Sequence, residues 1–418
     1  MDLNKKSVEI DAIWQRVDGW LSQSLTDMID MRRDLHAHPE PAGEETRTTS
    51  IVDDHITRAG LDSHGLNGQS GLCVDLNLTT TDAPRLAIRA DMDCVEVDDD
   101  KDVPWRSTRS GCCHACGHDA HTTMATWALA ALAQEKDALS EIGPHCNLRF
   151  IFQPAEESAT GAIDMIERGA LQGVDHIIAL HCDPFLDTGR VGLRTGPITA
   201  NLRSFRILLR GQGGHSARPH ESIDPVPAAV NLVSMLYQLG PRSVDSRHAH
   251  CITVTSIRTG QTINAIPDTA EIYGTIRAAR TDEGAVLEKM VGQCADAVCT
   301  ATGCRVEIEF PHAAPATNND PLVVEMIAQS AVDIVGQDGV IRLDLPSLGG
   351  EDFAIYQQHI PGAMARLGTG AGPMNTRHAL HSGRFDIDES ALLVGSRLLA
   401  RTALRAATSN IAQGDGDA

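Results

Sequence analysis

The chain has 418 residues, of which 42% are hydrophobic and only 3% aromatic, and it carries a formal net charge of −21. That length points to two domains rather than one core, and the apolar content excludes general disorder. The charge argues against a nucleic-acid or anionic-membrane partner, so recognition of an anionic substrate needs locally placed Arg or His.

Ile10, Ile13, Trp14, Val17, Trp20 and Leu21 recur at helical spacing and predict an amphipathic helix near the start. Charges run through Met1 to Gln23, so this stretch does not read as a signal peptide. No uncharged apolar run is long enough to span a bilayer. The eleven cysteines are odd in number and scattered, which fits a reducing cytosol better than a disulfide framework. The expected location is cytoplasmic.

Arg85–Ala90 reads as a buried strand ending in Asp91-Met-Asp93, Leu148–Phe152 as a strand ending near Glu156-Glu157, and His176–Leu180 as a strand ending at His181. The cluster at 114–119 opens a helix running through Ala128–Leu132. Strands whose C-terminal ends carry acids or His predict an α/β sheet with its site along one edge. After Thr195-Gly196-Pro197 the texture changes. Phe205–Arg210 alternates like a strand, a helix follows over Pro225–Leu239, and strands follow near Ile252–Ile257 and Thr269–Arg277. A helix near Glu283–Thr300 and a strand at Arg305–Phe310 complete a β-α-β-β-α-β order, as in a ferredoxin-like sandwich. Helical periodicity returns from Asp320 and ends in a long helix near Asp388–Ala406; the polar tail from Ser409 reads as disordered. The expected organisation is an α/β catalytic domain over 1–198 and 314–418 with a small α+β domain inserted at 199–313.

Cys116, His118, Asp119 and His121 are packed into six residues, and Cys with His suits a metal that needs soft or borderline donors. Cys113-His-Ala-Cys116 is also a C-x-x-C pattern, and a redox pair stays open, although no thioredoxin-like context surrounds it. Glu156-Glu157 follows an apolar strand directly, so one carboxylate could bind metal while the other faces substrate as a general base. Adjacent glutamates are more often a solvated pair; their place at a strand end beside other ligand types favours the site. His181 and His381, taken singly, read more readily as hydrogen-bonding caps than as ligands.

Taken together, the residues resemble the M20 metallopeptidases, in the branch of aminoacylases, hippurate hydrolases and auxin-conjugate hydrolases. The matching pieces run nearly end to end: Arg33–Glu40, Ile88–Asp93, His114–Asp119, Ile151–Glu157, Gly213–His220, Asn264–Asp268, Gly274–Arg277, Gly350–Phe353 and His381. The resemblance implies a two-domain, zinc-peptidase-like α/β fold whose inserted ferredoxin-like domain is a lid through which two subunits form a homodimer. It implies two divalent ions, Mn or Zn foremost and Co or Ni next, held by Cys116, His118, Glu157, His181 and His381. Glu156 would be the general base acting on metal-activated water, and His215 would reach across to the partner's site and steady the oxyanion. Asn264, Arg277 and Gly350 would hold the substrate, while Asp91 and Asp119 would orient the site without binding metal. The implied reaction cleaves an N-acyl or N-aroyl amino acid to a carboxylate and a free amino acid. Alternatives are hydrolysis of p-aminobenzoyl-glutamate or of an N-carbamoyl amino acid, or a binding protein that kept the fold without catalysis. Cys113 stands where such chains usually carry Met, so an extra thiol lies near the site.

Overall fold

The computed structural model describes residues 3–65, 70–80, 82–311, 313–370 and 372–408, so the tail from Ser409 lies outside the described residues. The chain divides into two compact units. One comprises Met1–Gly196, Asn318–Asp344 and Ile355–Ala418; the other comprises Pro197–Thr317 and Leu345–Ala354. The second unit thus takes in a short segment well beyond the expected 199–313 insertion.

In the first unit the elements that matter for the site are α1 (Leu3–Gln23), α2 (Leu25–Ala37), β1 (Leu72–Leu76), β2 (Arg85–Asp91), α3 (His118–Gln134), β3 (Asn147–Gln153), β4 (His176–Asp187), β5 (Gly362–Gly370) and α4 (Ala391–Thr408). An eight-stranded sheet runs in the order Ser63–Gly65, β1, β3, β2, β4, β5, Val191–Leu193, Val340–Arg342. The central strands β3, β2, β4 and β5 are mutually parallel. Every residue of β3 and of β5 is buried, as expected of parallel strands covered on both faces, which read as continuous rather than alternating apolar runs. β5, with its Gly and Ala, escapes a hydrophobicity reading and was not expected.

α1 presents Ile13, Val17 and Leu21 to the core, as its spacing predicts. α3 is buried along nearly its whole length, polar in its first turns (His118, Asp119, His121 to Thr123) and apolar beyond, where it packs among α1, α2 and α4 against the sheet. It begins at His118, one residue after Gly117, which sits at a left-handed φ of 89°. Ala occupies this conformation at a cost, Gly freely. β4 continues to Asp187, so His181 lies within the strand rather than just past its end.

The main sheet of the second unit runs in the order His250–Thr259, Thr269–Ala278, Asn201–Arg210, Arg305–Glu309, with Ala313–Ala314 as a fifth strand also paired to Asn201–Arg210, all antiparallel. Helices Pro225–Ser243 and Thr281–Thr302 cover one face, burying Phe205, Ile207 and Leu209 against Leu232, Leu236, Leu287 and Val291. This is the ferredoxin-like arrangement expected from the element order. The alternate residues of the strands turn outward, where Arg206 pairs with Glu271 at 2.7 Å and Arg210 with Glu307 at 2.7 Å.

Candidate metal centre

The C-terminal ends of β2 and β3 and the middle of β4 bring Asp91 and Asp93, Glu156 and Glu157, and His181 together beside the start of α3. Cys116, His118 and His181 offer donor atoms within 4.8 Å of one another, and so do Cys116, Glu157 and His381, and His118, Glu156 and Glu157. Cys116, His118 and Glu157 each belong to two of these overlapping groups, so the donors form one continuous cluster. All five expected ligands and the expected base therefore meet in one unit.

The ring nitrogens are assigned by their partners. His118 Nδ1 lies 3.0 Å from the Asp93 carbonyl oxygen and 3.2 Å from its Oδ1; both accept, so Nδ1 carries the proton. His118 Nε2 then points its lone pair inward, 3.9 Å from Glu156 Oε2, 3.9 Å from Glu157 Oε1 and 3.8 Å from Asp91 Oδ2. Nε2 and Glu157 Oε1 are both buried and neither makes a hydrogen bond. Such distances are too long for hydrogen bonds but within reach of two atoms that each ligate one ion at about 2.0–2.3 Å. His181 donates from Nδ1 to the Cys182 carbonyl at 2.9 Å, leaving Nε2 as an acceptor 3.5 Å from Cys116 Sγ. The donor set of one thiolate, imidazoles and carboxylate suits a borderline divalent cation.

The charges agree. Burial opposes a charged His118 ring, yet Asp91 and Cys116 outweigh it and lift its pKa well above the ordinary value. Burial, then the nearby Glu157, pushes the Cys116 thiol up, and burial raises Glu157. Burial, then Arg366, holds His181 well below its usual range. Asp91, Glu156 and Glu157 lie within 3.9 Å of His118 Nε2 and Asp93 lies on its Nδ1, a concentration of negative charge that a divalent cation would offset.

Two ligand segments have unusual backbones. Ala155, just before Glu156, has φ 56°, and His381 has φ 65°. Non-glycine residues pay about 1–3 kcal/mol for such conformations and keep them where surrounding contacts over-determine them. Here the Ala155 N–H donates to Glu45 Oε1 at 2.8 Å, and the His381 N–H donates to the Ala115 carbonyl at 2.8 Å. His381 Nε2 lies 3.4 Å from Glu157 Oε1, and its side chain is 52% exposed, so the centre opens to solvent on that side.

Asp91 binds His121 Nδ1 at 2.6 Å and Arg89 at 2.5 Å. Asp119 turns away from the ligands to the wholly buried Arg32 (2.9 Å) and to His36 Nδ1 (2.6 Å), so it anchors the start of α3 and touches no ligand. The C-x-x-C thiols part company: Cys116 faces His181, whereas Cys113 Sγ accepts from Lys101 Nζ at 3.6 Å. His36, Asp99 and Cys113 are also compact enough for an ion. Lys101 Nζ already sits 2.9 Å from Asp99, however, so the chain supplies the positive charge there itself.

Sequence reasoning passed over Asp93, whose carboxylate also accepts the Glu157 N–H at 2.9 Å, and Glu45, Arg89 and His36. Only burial reveals them, since charged residues this deep in a core need a reason.

In the second unit, His215 and Ala265 pair across two short strands; the His215 ring is exposed, and its Nδ1 accepts the Ala217 N–H at 3.0 Å. Asn264 is exposed beside them, its carbonyl accepting the Ser216 N–H at 3.1 Å. Arg277 Nη1 donates to the Leu348 carbonyl at 2.6 Å, holding the segment that carries Gly350.

Residues 87–405 match peptidase family M20/M25/M40. The chain belongs to that family. It is a hydrolase acting on amide bonds, as M20 enzymes are. N-acetylcysteine deacetylase of Bacillus subtilis is 33% identical over 91% of this chain and 96% of its own length. The IAA-amino acid hydrolase ILR1-like 4 of Arabidopsis thaliana is 32% identical over 90% of this chain and 85% of its own. A Rhodococcus jostii protein named as a glutamate–cysteine ligase 2-3 is 39% identical over 92% of this chain, but the chain spans only 48% of that protein. Among solved structures, a dinuclear metal-binding M20 peptidase of Bacillus subtilis superposes with a TM-score of 0.77 at 30% identity, covering 92% of this chain and 98% of that one.

Proposed function

We propose that this M20 hydrolase cleaves N-acyl or N-aroyl amino acids to a carboxylate and a free amino acid, using two divalent ions, Mn or Zn foremost. The observation that carries the reading is the pair of buried atoms His118 Nε2 and Glu157 Oε1, 3.9 Å apart and neither in a hydrogen bond, ringed by Cys116, His181 and His381. Two relatives named for N-acetylcysteine and IAA-amino acid substrates, and a solved relative described as dinuclear, support it.

Ions held by Cys116, His118, Glu157, His181 and His381 would supply Lewis acidity for activating a water and polarising the scissile carbonyl. Glu156, only 8% exposed, takes the proton of the attacking water and delivers it to the leaving nitrogen. Asp93 holds His118 and the Glu157 backbone in register, so that the acid pair is presented with one carboxylate for binding and one for proton transfer. His215 of the partner subunit, in a homodimer formed through the inserted unit, steadies the oxyanion, with Asn264 beside it. Arg277, together with the loop at Gly350, holds the substrate carboxylate, offsetting the repulsion of a chain with a net charge of −21. The cysteines are all unpaired, which supports a reducing, cytoplasmic setting. No helix of the described residues is long and apolar enough to cross a membrane.

The test is release of free amine from N-acetyl, N-benzoyl, indole-acetyl and p-aminobenzoyl amino acids by the metal-loaded protein. Turnover of none of them would sink the reading, and turnover of p-aminobenzoyl-glutamate alone would move it to that narrower activity.

A further inference from the structure

His121 is one of the metal-competent residues of the 114–121 cluster that the proposed centre does not use. Asp91, His118 and His121 lie close enough to share an ion, yet both nitrogens of His121 are engaged. The Cys182 backbone N–H donates to His121 Nε2 at 2.8 Å, so Nε2 must be unprotonated. Nδ1 lies 2.6 Å from Asp91 Oδ1 and therefore carries the proton. The ring is neutral, in one tautomer, and its only lone pair is spent on a backbone amide.

That amide belongs to a residue fastened at both ends. The Cys182 N–H goes to His121, and the Cys182 carbonyl accepts Nδ1–H of His181 at 2.9 Å. The second bond leaves His181 Nε2 as the lone pair facing Cys116 Sγ. On the other side of His121, Asp91 is held by Arg89, which also donates to Gln153 Oε1 at 2.8 Å. One chain of bonds therefore ties together the ends of β2 and β3 and the middle of β4, with His121 of α3 as its link to β4.

We infer that His121 is a positioning residue that sets the orientation and tautomer of His181 through the Cys182 backbone. This rests on the metal centre proposed above. Outer partners of this kind commonly change metal affinity by about 10–100-fold when removed.

The experiment uses the full-length chain, stripped of metal and titrated with Co2+, reading the visible ligand-field bands and the thiolate-to-cobalt absorption. His121→Asn keeps a donor near Asp91 but has nothing to accept the Cys182 N–H; His121→Gln places an acceptor near the position of Nε2. The expected result is roughly 10–100-fold weaker uptake of the ion at His181 and an altered spectrum for H121N, with both largely kept in H121Q. Wild-type affinity and spectrum in H121N, or equal losses in both variants, would overturn the inference, because equal losses place the effect on Asp91. Wild-type protein that takes up no cobalt would overturn the metal centre itself, a separate outcome. Should H121N fail to fold, histidine-15N spectra of the zinc-loaded wild type decide instead. The inference requires the His181 Nε2 resonance to move on metal binding and His121 Nε2 to stay, and metallation of His121 Nε2 refutes it.

Discussion

His118 Nε2 and Glu157 Oε1 stand 3.9 Å apart, both buried and both without a hydrogen bond. Leaving one such atom unsatisfied costs about 1–3 kcal/mol, and two facing each other make a cavity shaped for an ion rather than for a contact.

Glu156→Gln removes the base while keeping size and shape. Metal content by elemental analysis should stay at the wild-type level, and turnover of an N-acyl amino acid should fall by at least about 10²–10⁴-fold. Retained activity in a metal-replete sample would refute the base assignment.

Cys116→Ala removes the thiolate shared by two of the donor groups. Bound metal should drop below the wild-type stoichiometry after dialysis against a weak chelator. An unchanged metal content would remove Cys116 from the ligand set.

Asp119→Ala leaves Arg32, fully buried, and His36 without their central carboxylate. Breaking one member of a buried ion network costs about 3–5 kcal/mol, which urea unfolding of the metal-free protein would read. A loss below about 1 kcal/mol would mean that Asp386 and Glu389, also on Arg32, suffice.

The same network carries a pH signature. Burial disfavours the charged His36 ring, but Asp119 and Asp99 lift its pKa to about 10, against about 6.5 in an unfolded chain. Folding therefore binds a proton, and this contribution to stability is complete below about pH 6.5 and lost as pH rises toward 10. Between those limits wild type should lose up to about 1.4 kcal/mol per pH unit relative to His36→Asn. Parallel stability curves for the two proteins would show that His36 is neutral in the fold.

Gly117 lies between the proposed ligands Cys116 and His118 at φ 89°, and a Cβ there would stand 2.9 Å from Cys182 Sγ. Gly117→Ala should cost about 1–3 kcal/mol in stability and weaken metal binding, measured by thermal unfolding with and without zinc. Unchanged binding would mean that the segment from Cys116 to His118 tolerates displacement.

For the inserted unit, mixing Glu156→Gln and His215→Ala subunits should restore part of the activity that each lacks alone. No recovery in isolated heterodimers would count against a His215 acting across a dimer.

The sequence by itself determined the element types and the chemistry on offer. The apolar runs at Arg85–Ala90, Leu148–Phe152 and His176–Leu180 are periodic enough to read as strands, and Cys116, His118 and Glu156-Glu157 are chemically distinctive at short range. What the spacing left open was company. His381 alone looks like a surface histidine, and only the left-handed backbone at that residue, tied to the Ala115 carbonyl, brings it within 3.4 Å of Glu157. Asp119 and His121 read as equal candidates beside His118. The packing of α3 sends Asp119 to Arg32 and His121 to Asp91 and the Cys182 amide. β5 was illegible because Gly and Ala carry little hydrophobic signal, though nine consecutive residues are buried there. Residue type sets which bonds a side chain is able to make, but burial and direction decide which it does make, and both arise only when distant strands close on one another.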